Sequence, residues 1–308
     1  MKLTLAVPDL VSPSYFPAIA AVELGCAADH GLDMDVVLHF PITDAIDELR
    51  AGRFEFVAGS AHALFHHAPD GGGVKLLGAL SRYMYWFLIV RSDLGLRRGD
   101  PLTALSGLRI GAAPGPDDGL REMLRVAGVT DAQIAPVPGA TGNSISFGVT
   151  AAEALAAGTI DAFWANGMGA EVALRSGAGT LLVDARRGDG PAPARGYTFA
   201  ALFTTEAFIA EQPDTVRAMV TGLTEAQARL VRNPDEAKAI GKKLFPEVEA
   251  GLITRLIARD GPYYDPVITP RETDAMVAFA RSAGMTTQSP EFGDLVASIG
   301  RDVWGPTA

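Results

Sequence analysis

A chain of 308 residues, 48% apolar and 20% charged, has the composition of a folded globular protein and length enough for more than one domain. Its formal charge of −10, with lysine and arginine scattered, excludes a general nucleic-acid role, because neutralising phosphates takes clustered cations. One cysteine excludes an intrachain disulfide, and no window reaches the ~18 apolar residues of a membrane span.

Met1-Lys2 leads straight into Leu-Thr-Leu-Ala-Val, which reads as a buried parallel strand over 3–7 and not as a signal-peptide core. The expected location is the cytoplasm if Met1 is the native start and the periplasm if a leader has been removed. Residues 8–13 form a loop, and Ser12 or Ser14 offers a cap for a helix over about 15–30. That helix carries Ile19, Val22 and Cys26 on its inner stripe and stops at Gly31. A strand over 34–39 follows, then Phe40-Pro41 and a helix from Thr43-Asp44. A strand over 54–59 leads into the histidine-bearing segment 62–67, a Gly71-Gly72-Gly73 turn and a strand over 74–80.

The run 83–90 is the longest β-prone stretch, and 197–204 mirrors it beyond the Gly/Pro-rich segment 188–196. These runs, over 84–92 and 197–204, are expected to pass between lobes and act as the hinge. From 205 onward the pattern is helical, over about 212–232, 234–244, 249–260 and 270–283.

The chain also repeats itself. Leu-Arg-Ala-Gly-Arg-Phe-Glu-Phe-Val-Ala-Gly-Ser at 49–60 is echoed by Leu-Ala-Ala-Gly-Thr-Ile-Asp-Ala-Phe-Trp-Ala-Asn at 155–166. Each copy is a helix end, an Ala-Gly stop and a short apolar strand closing on small polar residues, with Gly52 and Gly158 at the C-cap. The flanks 3–7 and 108–112, and 34–39 and 134–137, correspond as well. The fold class expected is α/β, with two similar Rossmann-like lobes joined by crossing strands. Residues 1–92 with 197–308, including the C-terminal helices, would form the first lobe and 93–196 the second. A ligand would sit between the strand ends.

Ala21-Val-Glu-Leu-Gly25 through Gly31-Leu32-Asp33, the Ala51-Gly52 step, Leu105-Ser-Gly-Leu-Arg-Ile-Gly111, the run 155–162 and Asn233-Pro-Asp-Glu-Ala237 together resemble a known pattern. It is that of the type II periplasmic-binding-protein fold, in the group of nitrate/sulfonate/taurine solute-binding proteins and thiamine-pyrimidine-synthase-like proteins. The resemblance implies a solute-binding protein of an ABC import system, closing by hinge motion on a small organic anion or planar organic molecule. An ABC permease is the implied partner, and the chain is expected to be monomeric and without a cofactor. The alternative is a cytosolic enzyme on the same scaffold, a decarboxylase, desulfinase or pyrimidine-precursor type. The cysteine-rich motif of the pyrimidine synthases is absent here, and no clear catalytic group stands out.

Loops after the strands supply the candidate ligand-binding residues. The first lobe offers Asp9, Ser12, Ser14, Tyr15, Phe40, Thr43, Ser60 and His62, and the second Gly115, Thr141, Asn143, Trp164 and Asn166. Helix starts at Ser14, Thr43 and Ser60 would present free N–H groups to an anion, or simply be capped. Tyr83, Tyr85, Trp86 and Trp164 could stack on a planar ligand or fill the core, and Trp164 is the strongest candidate. Arg82 and Arg195 could clamp a carboxylate. Asp117 and Asp118 are expected to cap their helix or to meet a ligand amine. His62, His66 and His67 have a spacing that permits two metal ligands, but nothing nearby clearly supplies a third and a fourth, so no metal is expected. Cys26 and His30 stand i, i+4, yet the inward stripe makes Cys26 structural.

Overall fold

Two five-stranded sheets carry the chain, and the computed structural model describes residues 2–66, 68–137 and 146–304. The first half-repeat runs β1 (Leu3–Val7), α1 (Phe16–Glu23), α2 (Cys26–Asp29), β2 (Met34–Leu38), α3 (Ile42–Arg50), β3 (Phe56–Ser60) and β4 (Val74–Ser81). The second runs β5 (Phe87–Arg91), β6 (Arg109–Ala112), α4 (Asp117–Val126), β7 (Gln133–Ala135), α5 (Phe147–Ala156), β8 (Ala162–Ala165), α6 (Gly167–Arg175) and β9 (Gly179–Asp184). After β10 (Ala200–Thr205) come α7 (Glu206–Glu211), α8 (Pro213–Arg232), α9 (Glu236–Leu244), α10 (Glu247–Asp260), α11 (Pro270–Ser282), α12 (Phe292–Leu295) and α13 (Ser298–Trp304).

The sheet orders are β2-β1-β3-β10-β4 and β7-β6-β8-β5-β9, so the two lobes repeat one design strand for strand. β1 lies parallel to β2 and β3, as β6 does to β7 and β8. Each sheet then takes one antiparallel strand in the fourth place: β10 against β3 and β4, β5 against β8 and β9. Central strands such as β3 are buried throughout, as expected where helices cover both faces of a sheet. On α8, Val216, Met219, Val220, Leu223, Ala226 and Leu230 form a buried stripe at helical spacing, turned toward α1 and α2. Gln227 from the same face donates to the Ala79 and Leu80 carbonyls, which ties the C-terminal helices to the first sheet.

Several elements differ from the sequence expectation. The helix over 15–30 is two helices, parted where Gly25 adopts φ +79°. Neither Ser12 nor Ser14 caps it; Tyr15 holds the cap position without a side-chain bond. The chain changes sheet between Ser81 and Phe87, so the crossing falls before the expected 84–92 strand, and Phe87–Arg91 belongs wholly to the second sheet. The return crossing lies between Asp184 and Ala200.

Cys26 is buried at the start of α2, with the Arg229 guanidinium 3.6 Å from its sulfur, and burial pushes its thiol up from the ordinary value. His30 bonds Glu225 at 3.0 Å, so no imidazole activates this sulfur. We expect Cys26→Ala to cost about 1–2 kcal/mol and to leave ligand handling intact. Equilibrium denaturation checks the first part; loss of activity on thiol modification of native protein would contradict the second.

Candidate functional site

The strand ends of both sheets face each other across a cavity of about 40 Å³. Asp9, Tyr15, Phe40, Ile42 and Trp86 line one side, and Pro116, Phe147, Gly148, Trp164 and Asn166 the other. A water molecule takes up about 30 Å³ in the liquid, so the lobes are drawn together around little free space.

Asp9 is the polar centre. Directly after β1, its Oδ1 accepts the Val11 N–H at 3.1 Å, an Asx turn that aims the other oxygen at the opposite lobe. There Oδ2 accepts from Ser146 Oγ at 2.8 Å and from Asn166 Nδ2 at 2.7 Å. Both donors are helix N-caps: Ser146 accepts the Val149 N–H at the start of α5, and Asn166 Oδ1 accepts those of Met168 and Gly169 at the start of α6. Two caps from one lobe thus converge on a carboxylate from the other. Burial pushes the Asp9 carboxyl up to about 7, although the bonds from Ser146, Val11 and Asn166 pull the other way. No lysine, arginine or histidine lines the cavity among the described residues.

The walls are aromatic. Phe40 and Phe147 stand parallel across the lobes, ring centroids 6.4 Å apart and planes 10° from each other. Tyr15 and Tyr85 share a 2.7 Å hydroxyl bond in the floor, and burial raises both phenols well above their ordinary value. Trp164 reaches the cavity, but its indole is fully buried against Trp86 and its N–H donates to the Pro116 carbonyl at 3.0 Å. It is a wall built into the second lobe's core, not a free-standing platform.

Of the residues singled out from sequence, Asp9, Tyr15, Phe40, Trp86, Trp164 and Asn166 therefore meet at the cavity. The other described candidates lie elsewhere. Ser14 accepts from Arg186 Nη2 at 3.1 Å, and Ser12 and Ser60 are buried outside the cavity lining. Thr43 sits inside α3, whose cap position is Pro41, so it does not cap; Ser60 makes no side-chain cap either. Tyr83, at φ +64°, is stacked under Arg195 at 3.6 Å where the chain crosses between sheets. Thr141 and Asn143 fall outside the described residues, as does His67.

The proposed arginine clamps are spoken for: Arg82 pairs with Glu272 and Asp265, and Arg195 donates to the Arg186 carbonyl. The interlobe arginine is instead Arg186, which sequence reasoning missed. Nearly inaccessible, it reaches from the end of β9 to Ser14, to Ser81 at 2.6 Å and to Asp260 at 3.2 Å. Burial alone would raise the Asp260 carboxyl, but the charges of Arg259 and Arg186 hold it below the ordinary value.

Gly115 and the histidines make a second contact between lobes. With φ +89° and Ile42 Cγ2 2.9 Å from where a Cβ would stand, position 115 admits only glycine. Its carbonyl accepts from His62 Nε2 at 3.0 Å, while His62 Nδ1 meets Thr198 Oγ1 at 2.9 Å. His66 Nε2 meets Asp118 Oδ2 at 2.6 Å, and that bond raises the His66 pKa. Asp118 is buried enough to be raised, yet His62 and His66 hold it far below the usual carboxylate range. Neither Asp117 nor Asp118 caps α4; Asp117 pairs with Arg121 at 2.8 Å.

With this geometry in hand, comparison with known proteins places the fold. No curated protein matches. Among solved structures, the chain is similar to the ligand-binding component of an ABC-type import system from Staphylococcus aureus with zinc bound (TM-score 0.73, 11% identity, 98% of this chain and 99% of that one). It is also similar to the alkanesulfonate-binding protein SsuA from Xanthomonas axonopodis pv. citri bound to MOPS (TM-score 0.70, 14% identity, 97% of each chain). The periplasmic nitrate-binding protein NrtA from Synechocystis gives a TM-score of 0.65 at 16% identity, over 83% of this chain and 69% of that one. These likenesses show a two-lobed periplasmic-binding-protein fold. The model of the family described as NMT1/THI5 like matches residues 12–237, and the chain belongs to that family.

Proposed function

We propose that this protein is the solute-binding component of an ABC-type importer and closes its lobes on a small, flat organic molecule. The observation that carries the reading is the aromatic cavity at the meeting strand ends, with Asp9 at its centre. Closure would work by population shift, since only the closed form offers contacts from both lobes. The lobes would turn about 82–86 and 185–199, and a permease would be the partner. Import of this kind puts binding outside the cytoplasm, as for the relative described as periplasmic.

Ligand chemistry follows from the walls. A buried carboxyl that faces no cation among the described residues disfavours a sulfonate or nitrate and favours a group that donates hydrogen bonds, an amine above all. Phe40 and Phe147, within 10° of parallel and with centroids 6.4 Å apart, offer two aromatic faces that suit a flat ring. Amino-substituted heteroaromatics such as aminopyrimidines satisfy both demands.

A thermal-shift panel of aminopyrimidines, alkanesulfonates, taurine and nitrate tests this. Stabilisation by the flat amines is expected, and calorimetry should find Phe40→Ala weaker by about 1–3 kcal/mol, roughly 5- to 150-fold. Stabilisation by sulfonate or nitrate alone would overturn the ligand class; turnover of a bound compound would overturn the binding role.

A further inference from the structure

The histidines beside the cavity have donor atoms that the proposed ligand does not use. We propose that His62, His66 and Asp118 form a site for one divalent transition-metal ion of the zinc class, and that the ion ties the two lobes together. His62 and His66 come from the turn after β3, in the first lobe; Asp118 comes from the first turn of α4, in the second. Their three ligand atoms all lie within 4.8 Å of one another.

The spacings fit a coordination shell. Zinc bonds to imidazole and carboxylate run about 2.0–2.2 Å, which sets tetrahedral neighbours about 3.3 Å apart. His62 Nε2 and Asp118 Oδ2 are 3.6 Å apart, and His66 Nε2 and Asp118 Oδ2 2.6 Å. The first needs almost no change. The second opens by a fraction of an ångström when an ion replaces the proton those atoms share. The Gly115 carbonyl, 3.0 Å from His62 Nε2, is a fourth donor atom at the same place.

An orienting partner is already present. Thr198 Oγ1 stands 2.9 Å from His62 Nδ1 and 3.4 Å from the Phe199 carbonyl. In the metal-free chain the Nε2 proton is held by the Gly115 carbonyl; when an ion takes Nε2 the imidazole carries its proton on Nδ1 instead, and the hydroxyl, with its own proton turned to the Phe199 carbonyl, accepts it. The neighbouring cations are occupied: Arg121 by Asp117 and Arg125 by Glu122. A crevice of about 380 Å³, lined by Asp118, Arg121, Glu122, Arg125 and Ser282 among others, opens at the Asp118 side of the site. Two imidazoles and a carboxylate select zinc, cobalt or nickel over magnesium or calcium, which prefer all-oxygen shells.

Full-length protein stripped with EDTA is titrated with zinc chloride alone by calorimetry, and with cobalt chloride by visible absorption. One saturable equivalent is expected, with the d–d bands of a four-coordinate cobalt site. His66→Ala and Asp118→Asn should each weaken zinc by more than about 10- to 100-fold, the loss seen even for groups behind the ligands, and Thr198→Val by about 10-fold. His30→Ala, at a surface pair with Glu225, should bind as the wild type does. Both ligand variants carry partly exposed side chains, and their melting in EDTA establishes that they fold. Small-angle scattering should show zinc compacting the wild type but not Asp118→Asn. No stoichiometric binding, or affinity unchanged in both His66→Ala and Asp118→Asn, would overturn the site; binding without compaction would overturn its role between the lobes.

Discussion

Replacing Arg186 with methionine is expected to lower the melting temperature by roughly 10 °C. Removing one partner of a buried ion pair costs about 3–5 kcal/mol, because the remaining charge stays buried. In a protein of this size each kcal/mol is worth about 2–4 °C. Arg186 and Asp260 are both nearly inaccessible and 3.2 Å apart, and the same guanidinium bonds Ser14 and Ser81. Methionine fills similar volume, so the loss reports charge and hydrogen bonds more than a void. Arg259 stays beside Asp260 and sets the floor of the effect. Differential scanning fluorimetry of Arg186→Met against Arg186→Lys is the measurement. A drop of under about 2 °C for methionine would mean that Arg259 alone satisfies Asp260.

Asp9→Asn should stabilise the protein at pH 8, by about 5 °C, with the gain shrinking as the pH falls toward 4. The folded value of about 7 lies above the ordinary 3.8. Below pH 4 the carboxyl is protonated in folded and unfolded chains alike and nothing is lost. Between 4 and 7 the unfolded chain sheds the proton and the folded one keeps it, so stability falls as pH rises. Above 7 both are ionised and the whole penalty stands, at most about 4 kcal/mol for a shift of three units. An amide keeps one acceptor oxygen for Ser146 and Asn166 and avoids the charge, at the loss of the Val11 N–H bond, which keeps the gain below the full penalty. Melting curves of both proteins from pH 4 to 8 decide it. A variant equally destabilised at every pH would show that the ionised carboxylate is the form the caps require.

Much of the architecture was legible because it is written twice. The 49–60 and 155–166 echo became β3 and β8 in equivalent places, and Gly52 and Gly158 took φ +73° and +72°. Asp9, Tyr15, Phe40, Trp164 and Asn166 were reachable because strand ends are where open sheets leave backbone and loops free. Other residues were not, for a common reason. Ser146 meets Asp9, Asp118 meets His66 and Arg186 meets Asp260 at sequence separations that no local period connects. Each pairing exists only once the lobes are docked. A cap before an apolar helix, as at Ser146-Phe147, was the one local signal that could have drawn attention to its end. Local pattern also misled at Gly25, where one apolar stripe concealed two helices, and at 84–92, where β propensity could not say which sheet a strand would join.

The place of β10 has a consequence for how the chain emerges during synthesis. The second sheet is complete once residue 184 is made, from one uninterrupted stretch beginning at 87. The first sheet holds three paired strands early but lacks the one between β3 and β4 until residue 205. The lobe begun first is therefore finished last, with an open slot and a detached β4 while its neighbour folds. Loop closure across more than a hundred residues makes that insertion the slow, aggregation-exposed step of biogenesis. A chain halted before β10 would carry a folded second lobe and a first lobe in need of a chaperone.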